Sequence, residues 1–63
     1  MIIKVRKPTG EIVEVESSAP NQRDAHNDAL VIAYVKDGGT IISHSLVASA
    51  VLAIRAGYEV VWQ

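Results

Sequence analysis

Two short segments near the start of the chain alternate between apolar and polar positions, apart from the isoleucine that opens each of them. The alternation covers residues 2–6 and 12–16, and a period of two predicts half-buried strands. Between them, residues 7–11 contain a proline and a glycine, which are typical of a turn. We therefore predict a β-hairpin in which Val5 pairs with Val13.

The register of this hairpin follows from the same pattern. It also pairs Ile3 with Val15, so that the apolar side chains share one face. It sets Lys4 opposite Glu14, a favourable cross-strand pair worth at most about 1 kcal/mol. A slip by one residue would bury charged side chains, so the register is well specified.

A helix is predicted after the hairpin. Asn21 is a good N-cap residue, and the helix runs to about Lys36 before the Asp-Gly-Gly signal at 37–39 ends it. The six apolar residues at 30–35 leave an alternative, because such a run also suits a strand, here paired with 40–44. The N-cap and the alanines of this segment favour the helix.

The second half of the chain predicts three more elements. Residues 40–43 form a short segment rich in β-branched residues, which is typical of a buried strand. Ser45 is an N-cap, residues 46–56 are an alanine-rich helix ended by Gly57, and 58–62 are a last strand. The predicted fold is α+β, a single domain over the whole chain, with order ββαβαβ. It has a mixed four-stranded sheet with two helices on one face, the last three elements forming a right-handed βαβ unit.

The second predicted helix is apolar around most of its circumference, and Arg55 is its one charged residue. Since a sheet covers one side only, the other side meets either the first helix or a partner chain. Small residues permit close helix packing in both cases. Tyr58 and Trp62 lie on one face of the last strand and either close the core or anchor a partner. The predicted interface residues are Leu46, Ala50, Ala53, Ile54, Tyr58 and Trp62.

Composition favours association. Hydrophobic residues make up 49% of 63 residues and the mean hydropathy is +0.21, which is apolar for a chain of mostly surface. There is no cysteine and there are two histidines, so neither a disulfide nor a metal site is expected. Small folds without these aids often rely on a partner subunit, and we expect a homo-oligomer without cofactors.

Charge and segment composition restrict the environment. The net charge is −1, which does not suggest a nucleic-acid binder. No apolar run approaches the ~20 residues that cross a bilayer, and the N-terminus lacks the layout of a signal peptide. We therefore expect a soluble, cytoplasmic protein that does not enter a membrane.

One segment offers weak binding chemistry. Ser43, His44 and Ser45 stand where the predicted third strand gives way to a helix, whose free N–H groups favour an anion. The alternative is that Ser45 caps its helix and His44 lies in a solvated loop, since no Gly-rich sequence precedes the helix. A Ser-His nucleophile would need an orienting acid, and Asp37 is the one acid within ten residues. We therefore predict no enzyme.

The basic residues of the hairpin offer a second possible surface. Lys4, Arg6 and Lys7 could contact a phosphate backbone. However, three glutamates share the hairpin, and no aromatic platform accompanies it. Nucleic-acid binding is therefore an alternative and not the main prediction.

The opening residues 1–5, followed by residues 9–16, are similar to the first hairpin of ubiquitin-like β-grasp domains. The resemblance implies a β-grasp-like sheet as the alternative fold. It does not extend to the alanine-rich second helix or to a terminal diglycine, and it implies no function.

Together these features predict a non-catalytic protein-binding module, a homo-oligomeric inhibitor, adaptor or regulatory subunit. Very small intracellular proteins of this kind are often of phage or mobile-element origin. The alternatives are a nucleic-acid-associated regulator that uses the basic hairpin and a small-anion sensor at Ser43–Ser45.

Overall fold

The structure is a computed structural model that describes residues 1–42 and 44–61. In this part of the chain three antiparallel strands form one sheet of order β2-β1-β3, and two helices accompany it. The fold is a small α+β fold. Its elements are β1 (Ile2–Arg6), β2 (Ile12–Glu16), α1 (Gln22–Lys36), α2 (Leu46–Arg55) and β3 (Glu59–Val60).

The hairpin has the predicted register. Val5 pairs with Val13 and Lys4 stands opposite Glu14, which turns the valines toward α1 and the charged residues away from it. Val5 is fully buried. Lys4 and Glu14 form no ion pair. The ion pairs among the described residues join other side chains. The register is thus set by apolar burial and not by this pair.

Helix α1 confirms the helical interpretation of residues 30–35. The side chain of Asn21 accepts a hydrogen bond from the Asp24 N–H at 2.9 Å, as its N-cap role predicts. The helix crosses the sheet and contacts all three strands. Its buried residues recur at helical spacing, which a strand could not achieve; they are Ala25, Ala29, Leu30 and Ala33.

The predicted fourth strand is not confirmed. Residues 40–42 form no strand, and Ser43 lies outside the described residues. The chain turns back at the end of α1, where the Gly39 N–H donates to the Tyr34 carbonyl at 2.9 Å. A Cβ at Gly39 would lie 2.5 Å from the Tyr34 ring, so this turn requires glycine. In the part of the chain that the structure describes, the order is ββααβ, without the predicted βαβ unit.

Helix α2 packs on α1, which is its main neighbour, and not across the sheet. The core therefore joins the inner face of the sheet, α1 and one side of α2. Most of its helical members are alanines, which let the two helices approach closely. The core comprises Ile3, Val5, Val15, Ala25, Ala29, Leu30, Ala33, Ala50, Ala53 and Tyr58.

The last strand is shorter than predicted. Gly57 has a φ of +103°, a conformation that glycine adopts without strain, and it turns the chain from α2 into β3. The strand pairs antiparallel with β1. Beyond it, the Val61 N–H donates to the Lys4 carbonyl at 2.8 Å. Among the described residues the sheet thereby has two free edges, at β2 and at β3.

Candidate functional site

The inner side of α2 consists of small residues. Ser49, Ala50 and Ala53 are buried, and Ala53 has no exposed surface. Because these side chains are short, the backbone of α2 lies close to α1. Ser45 starts the helix by accepting a hydrogen bond from the Ala48 N–H at 3.4 Å. This side of α2 is domain interior, one of the two predicted interpretations.

The outer side of α2 carries a stripe of large apolar side chains. Val47, Val51 and Ile54 are 54%, 39% and 53% exposed. Their spacing of four and then three residues places them in one row along the helix. Such a contiguous row, unlike single exposed apolar residues, is typical of an interaction surface. We call these three residues the α2 stripe.

The α2 stripe forms one wall of an open groove of about 780 Å³. Helix α1 supplies the opposite wall with its first half, and β3 closes one end. Buried and half-buried core residues form the floor, namely Leu30, Ala50, Tyr58 and Val60. The polar residues that line the groove are Gln22, Arg23, His26, Asn27 and Glu59. An apolar centre with a polar rim is the arrangement found in protein interfaces.

The charges on the rim are unevenly distributed. Arg23 and His26 stand on the α1 side. Glu59 stands at the β3 end, where it forms an ion pair with Arg6. The carboxylate of Glu59 is therefore already paired within the chain, and Arg23 is the charged residue on the α1 side of the groove lining.

A polar network holds the floor of the groove in place. The Tyr58 hydroxyl donates to Asp37 Oδ2 at 2.7 Å, and Lys7 Nζ donates to Asp37 Oδ1 at 3.1 Å. The Tyr58 ring meets Tyr34 edge to face, with ring centroids 5.8 Å apart. These contacts join the hairpin turn, the end of α1 and the segment between α2 and β3.

The network shifts two pKa values in opposite directions. The hydrogen bond from Tyr58, followed by that from Lys7, lowers the pKa of Asp37 because both stabilise the carboxylate. The hydrogen bond to Asp37, followed by burial, raises the pKa of Tyr58 to about 12. The pair is thus held as a tyrosine donor and a carboxylate acceptor.

The predicted interface residues occupy different environments. Ala50, Ala53 and Tyr58 are buried within the chain, Leu46 is half-buried, and Ile54 is exposed. Trp62 lies outside the described residues. Sequence reasoning did not select Val47 and Val51, although their spacing with Ile54 was a readable signal. It also did not foresee the groove, because its α1 wall depends on how the helices pack.

The predicted anion site is only partly described, since Ser43 lies outside the described residues. His44 and Ser45 are both exposed. The Ser45 hydroxyl oxygen is engaged with the Ala48 N–H of its own helix. The small-anion hypothesis remains a prediction.

The basic residues of the hairpin are largely engaged with acids. Arg6 pairs with Glu59, and Lys7 pairs with Asp37 and, at 3.8 Å, with Glu11. Lys4 is half-buried opposite Glu14. These ion pairs reduce the positive field that a nucleic acid would meet, while the alternative itself remains a prediction.

Comparison with protein families, curated proteins and solved structures gave no match to this chain. Within residues 1–42 and 44–61, neither helix is long and apolar enough to cross a membrane. The same residues contain no group of three or more histidine, aspartate or glutamate side chains placed to hold a metal ion.

Proposed function

We propose that the chain is a non-catalytic protein-binding module of the cytoplasm that associates with itself through the α2 stripe. In the oligomer it acts as an inhibitor, adaptor or regulatory subunit. The observation that supports the proposal is the row of Val47, Val51 and Ile54, exposed beside an open apolar groove.

A second copy suits this row geometrically. In a two-fold arrangement with antiparallel helices, Val51 would meet its own equivalent and Val47 would meet Ile54 of the other copy. Such an interface is self-complementary, as two-fold symmetry requires. Small residues beside the row, such as Ala48, leave room for close approach.

The size of the chain supports the same proposal. Its accessible surface is 4128 Å², and a standard interface covers about 800 Å² on each partner. An interface of standard size would therefore cover about a fifth of the surface, and the α2 stripe with the groove would form its apolar centre. Burying exposed apolar area in this way contributes roughly 25 cal/mol per Å², a substantial gain for so small a domain.

Analytical ultracentrifugation over a wide concentration range tests the proposal. We expect the mass of the wild type to rise with concentration, and that of Val51→Asp to remain at the monomer value. Val35→Asp is the matched control, because Val35 is a comparably exposed helical valine that lies outside the groove. It should associate like the wild type.

A wild type that stays monomeric up to about 1 mM, a concentration at which even weak dimers assemble, would disprove self-association. Equal effects of the two aspartates would show that association does not use the α2 stripe. Circular dichroism of both variants establishes that each is folded before its mass is interpreted.

The two other functions have weaker support. A nucleic-acid regulator would use Lys4, Arg6 and Lys7, two of which are ion-paired; it predicts an affinity that falls steeply with salt. A small-anion sensor at Ser43–Ser45 predicts a thermal shift with phosphate that His44→Ala abolishes.

A further inference from the structure

We propose that the free edge of β2 receives an extended segment of a partner protein in which basic and apolar residues alternate. The segment would add a fourth strand to the sheet, on the side opposite β3. This surface is separate from the α2 stripe, so the proposal stands independently of the proposed function.

The backbone of β2 has its free hydrogen-bonding groups at defined positions. Met1 and Ser17 exchange backbone hydrogen bonds, and the Lys7 N–H donates to the Glu11 carbonyl. Since bonded pairs alternate along an antiparallel ladder, the odd-numbered residues of β2 point their N–H and C=O groups at β1. The N–H and C=O groups of Ile12, Glu14 and Glu16 therefore point outward, on the side where β2 has no neighbouring strand within residues 1–42 and 44–61.

Glutamates are the protection that this edge carries against pairing, and it has neither a bulge nor a proline. All five residues of β2 pair in continuous register with β1. Natural proteins usually shorten, cover or interrupt such an edge. The other edge of the sheet is shortened in this way, since β3 has two residues. The edge of β2 is therefore the more suitable one for strand addition.

A channel with an apolar centre and charged margins runs beside the edge. This groove of about 210 Å³ lies between β2 and the second half of α1. Its apolar lining is Val13, Val15, Ile32 and Ala33, and its charged lining is Lys7, Glu14, Glu16, Lys36 and Asp37. Ile32 is 38% exposed, although it belongs to the helix that covers the sheet. An added strand would turn every second side chain into this channel, where apolar residues would cover Ile32.

The remaining side chains of an added strand would face Glu14 and Glu16. Both glutamates are exposed on the outer face of β2, and neither forms an ion pair within the described residues. Residues directly opposite each other on a shared face attract when their charges differ. Lysine or arginine at these positions completes an alternation of basic and apolar residues.

The positions of the charged residues near the edge of β2 are compatible with a basic and apolar partner segment. Lys7 is paired with Asp37, which fixes the end of α1 near the start of β2. Lys36 consequently lies at that end of the groove, away from Glu16. A second copy of β2 is a poorer occupant, because antiparallel pairing centred on Glu14 would set two glutamates directly opposite each other.

The probe is a synthetic peptide of about seven residues that alternates lysine with valine, long enough to pair with all of β2. Titration into ¹⁵N-labelled protein should shift the amide signals of Ile12, Glu14 and Glu16. Their hydrogen exchange should slow, because these N–H groups gain acceptors. A peptide that alternates glutamate with valine should not bind.

Glu14→Pro is the decisive variant. It removes an outward N–H and leaves the bonds to β1 intact, since proline is tolerated on a free edge. We expect the affinity for the peptide to fall by about tenfold or more, because the variant loses one charge-assisted contact and one backbone hydrogen bond. The matched control Glu14→Gln retains the N–H and should lose less affinity, and Val51→Asp should lose none.

Should Glu14→Pro fail to fold, N-methylated peptides replace it. Methyl groups on the peptide edge that faces β2 should abolish binding, whereas methyl groups on the opposite edge should not. The proposal is overturned by three results: no signal change at about 1 mM peptide, equal binding of a peptide with its lysines and valines in separate blocks, or signal changes at the α2 stripe alone. Protection of the β2 amides without peptide, together with a doubled mass, would instead assign the edge to a second copy.

Discussion

The two helices of this protein differ in what surrounds them. Helix α1 contacts all three strands and buries an alanine face, while its charged residues point away from the core. Helix α2 has one charged residue, Arg55, and packs mainly on α1. It leaves Val47, Val51 and Ile54 exposed, although it is the more apolar helix.

The difference follows from the size of the sheet. Three short strands offer one inner face, and α1 covers it. Helix α2 can then bury only the side that contacts α1, and its outer row has no further element to contact. A small chain that carries a second apolar helix is left with surface that another polypeptide can cover.

The largest predicted effect concerns the buried side of α2. Ala53→Asp places a carboxylate where the side chain has no exposed surface and should destabilise the fold by about 3–5 kcal/mol. Ala56→Asp is the control, because Ala56 is exposed at the end of the same helix. Urea denaturation monitored by circular dichroism measures both. Similar losses for the two variants would contradict the packing of α2 on α1.

The glycines that follow the two helices give the next largest contrast. Gly38 and Gly57 both have positive φ angles, so alanine strains either position. A Cβ at Gly57 would in addition lie 3.1 Å from Pro8, whereas one at Gly38 meets nothing within 4 Å. We expect losses of about 2 kcal/mol for Gly57→Ala and about 1 kcal/mol for Gly38→Ala. Equal losses in urea denaturation would show that the contact with Pro8 does not constrain the end of α2.

The N-caps provide a smaller contrast. The Asn21 side chain accepts its hydrogen bond at 2.9 Å and that of Ser45 at 3.4 Å. Asn21→Ala should therefore cost about 1 kcal/mol and Ser45→Ala about 0.5 kcal/mol. Thermal unfolding of the two variants measures the difference. A larger loss at Ser45 would mean that α2 depends more on its cap than on its packing against α1.

The smallest effect is a pH dependence of the network that joins the ends of both helices. Asp37 has a lowered pKa. Its contribution to the free energy of unfolding is therefore present above the ordinary pKa of 3.8 and is lost as the pH falls through the lowered pKa. Tyr58 has a pKa raised from 10.0 to about 12, so its contribution is complete below pH 10 and is lost as the pH rises through 12. The Asp37 side chain is 31% exposed, and solvent screens the interaction.

Comparing the wild type with Tyr58→Phe over pH isolates this network. The difference in thermal midpoint should be constant between the two ordinary pKa values and should shrink at both extremes. Tyr34→Phe removes a tyrosine without this hydrogen bond and is the control. A difference that stays constant from acid to alkali would exclude the Tyr58–Asp37 bond.

Features that depend on local spacing were predictable. The alternation around Val5 and Val13 predicted the hairpin register, and Asn21 and Ser45 predicted the helix starts, because neighbouring residues alone determine such patterns. The predicted strand at 40–43 was not confirmed, since the three β-branched residues 40–42 would form a strand only if the chain brought them to a sheet edge. The close turn of Gly39 on Tyr34 directs it elsewhere.

For the candidate surfaces too, the sequence predicts the local features, and tertiary packing determines which residues are exposed. The apolar character of α2 could be predicted from its residues. Which side of α2 stays exposed depends on the packing against α1 that buries Ala50 and Ala53. The interface prediction therefore named residues from both sides of α2. The free edge of β2 could not be predicted either, because only the sheet order determines which strand has a single neighbour.

By itself, the sequence determined the hairpin with its register, the two helices and their caps, since each depends on contacts between residues near one another in the chain. The tertiary structure alone decided the strand order, the packing of α2 on α1, the exposed α2 stripe and the open edge of β2. These features result from competition among distant segments for one small sheet, and no local pattern records which segment occupies it.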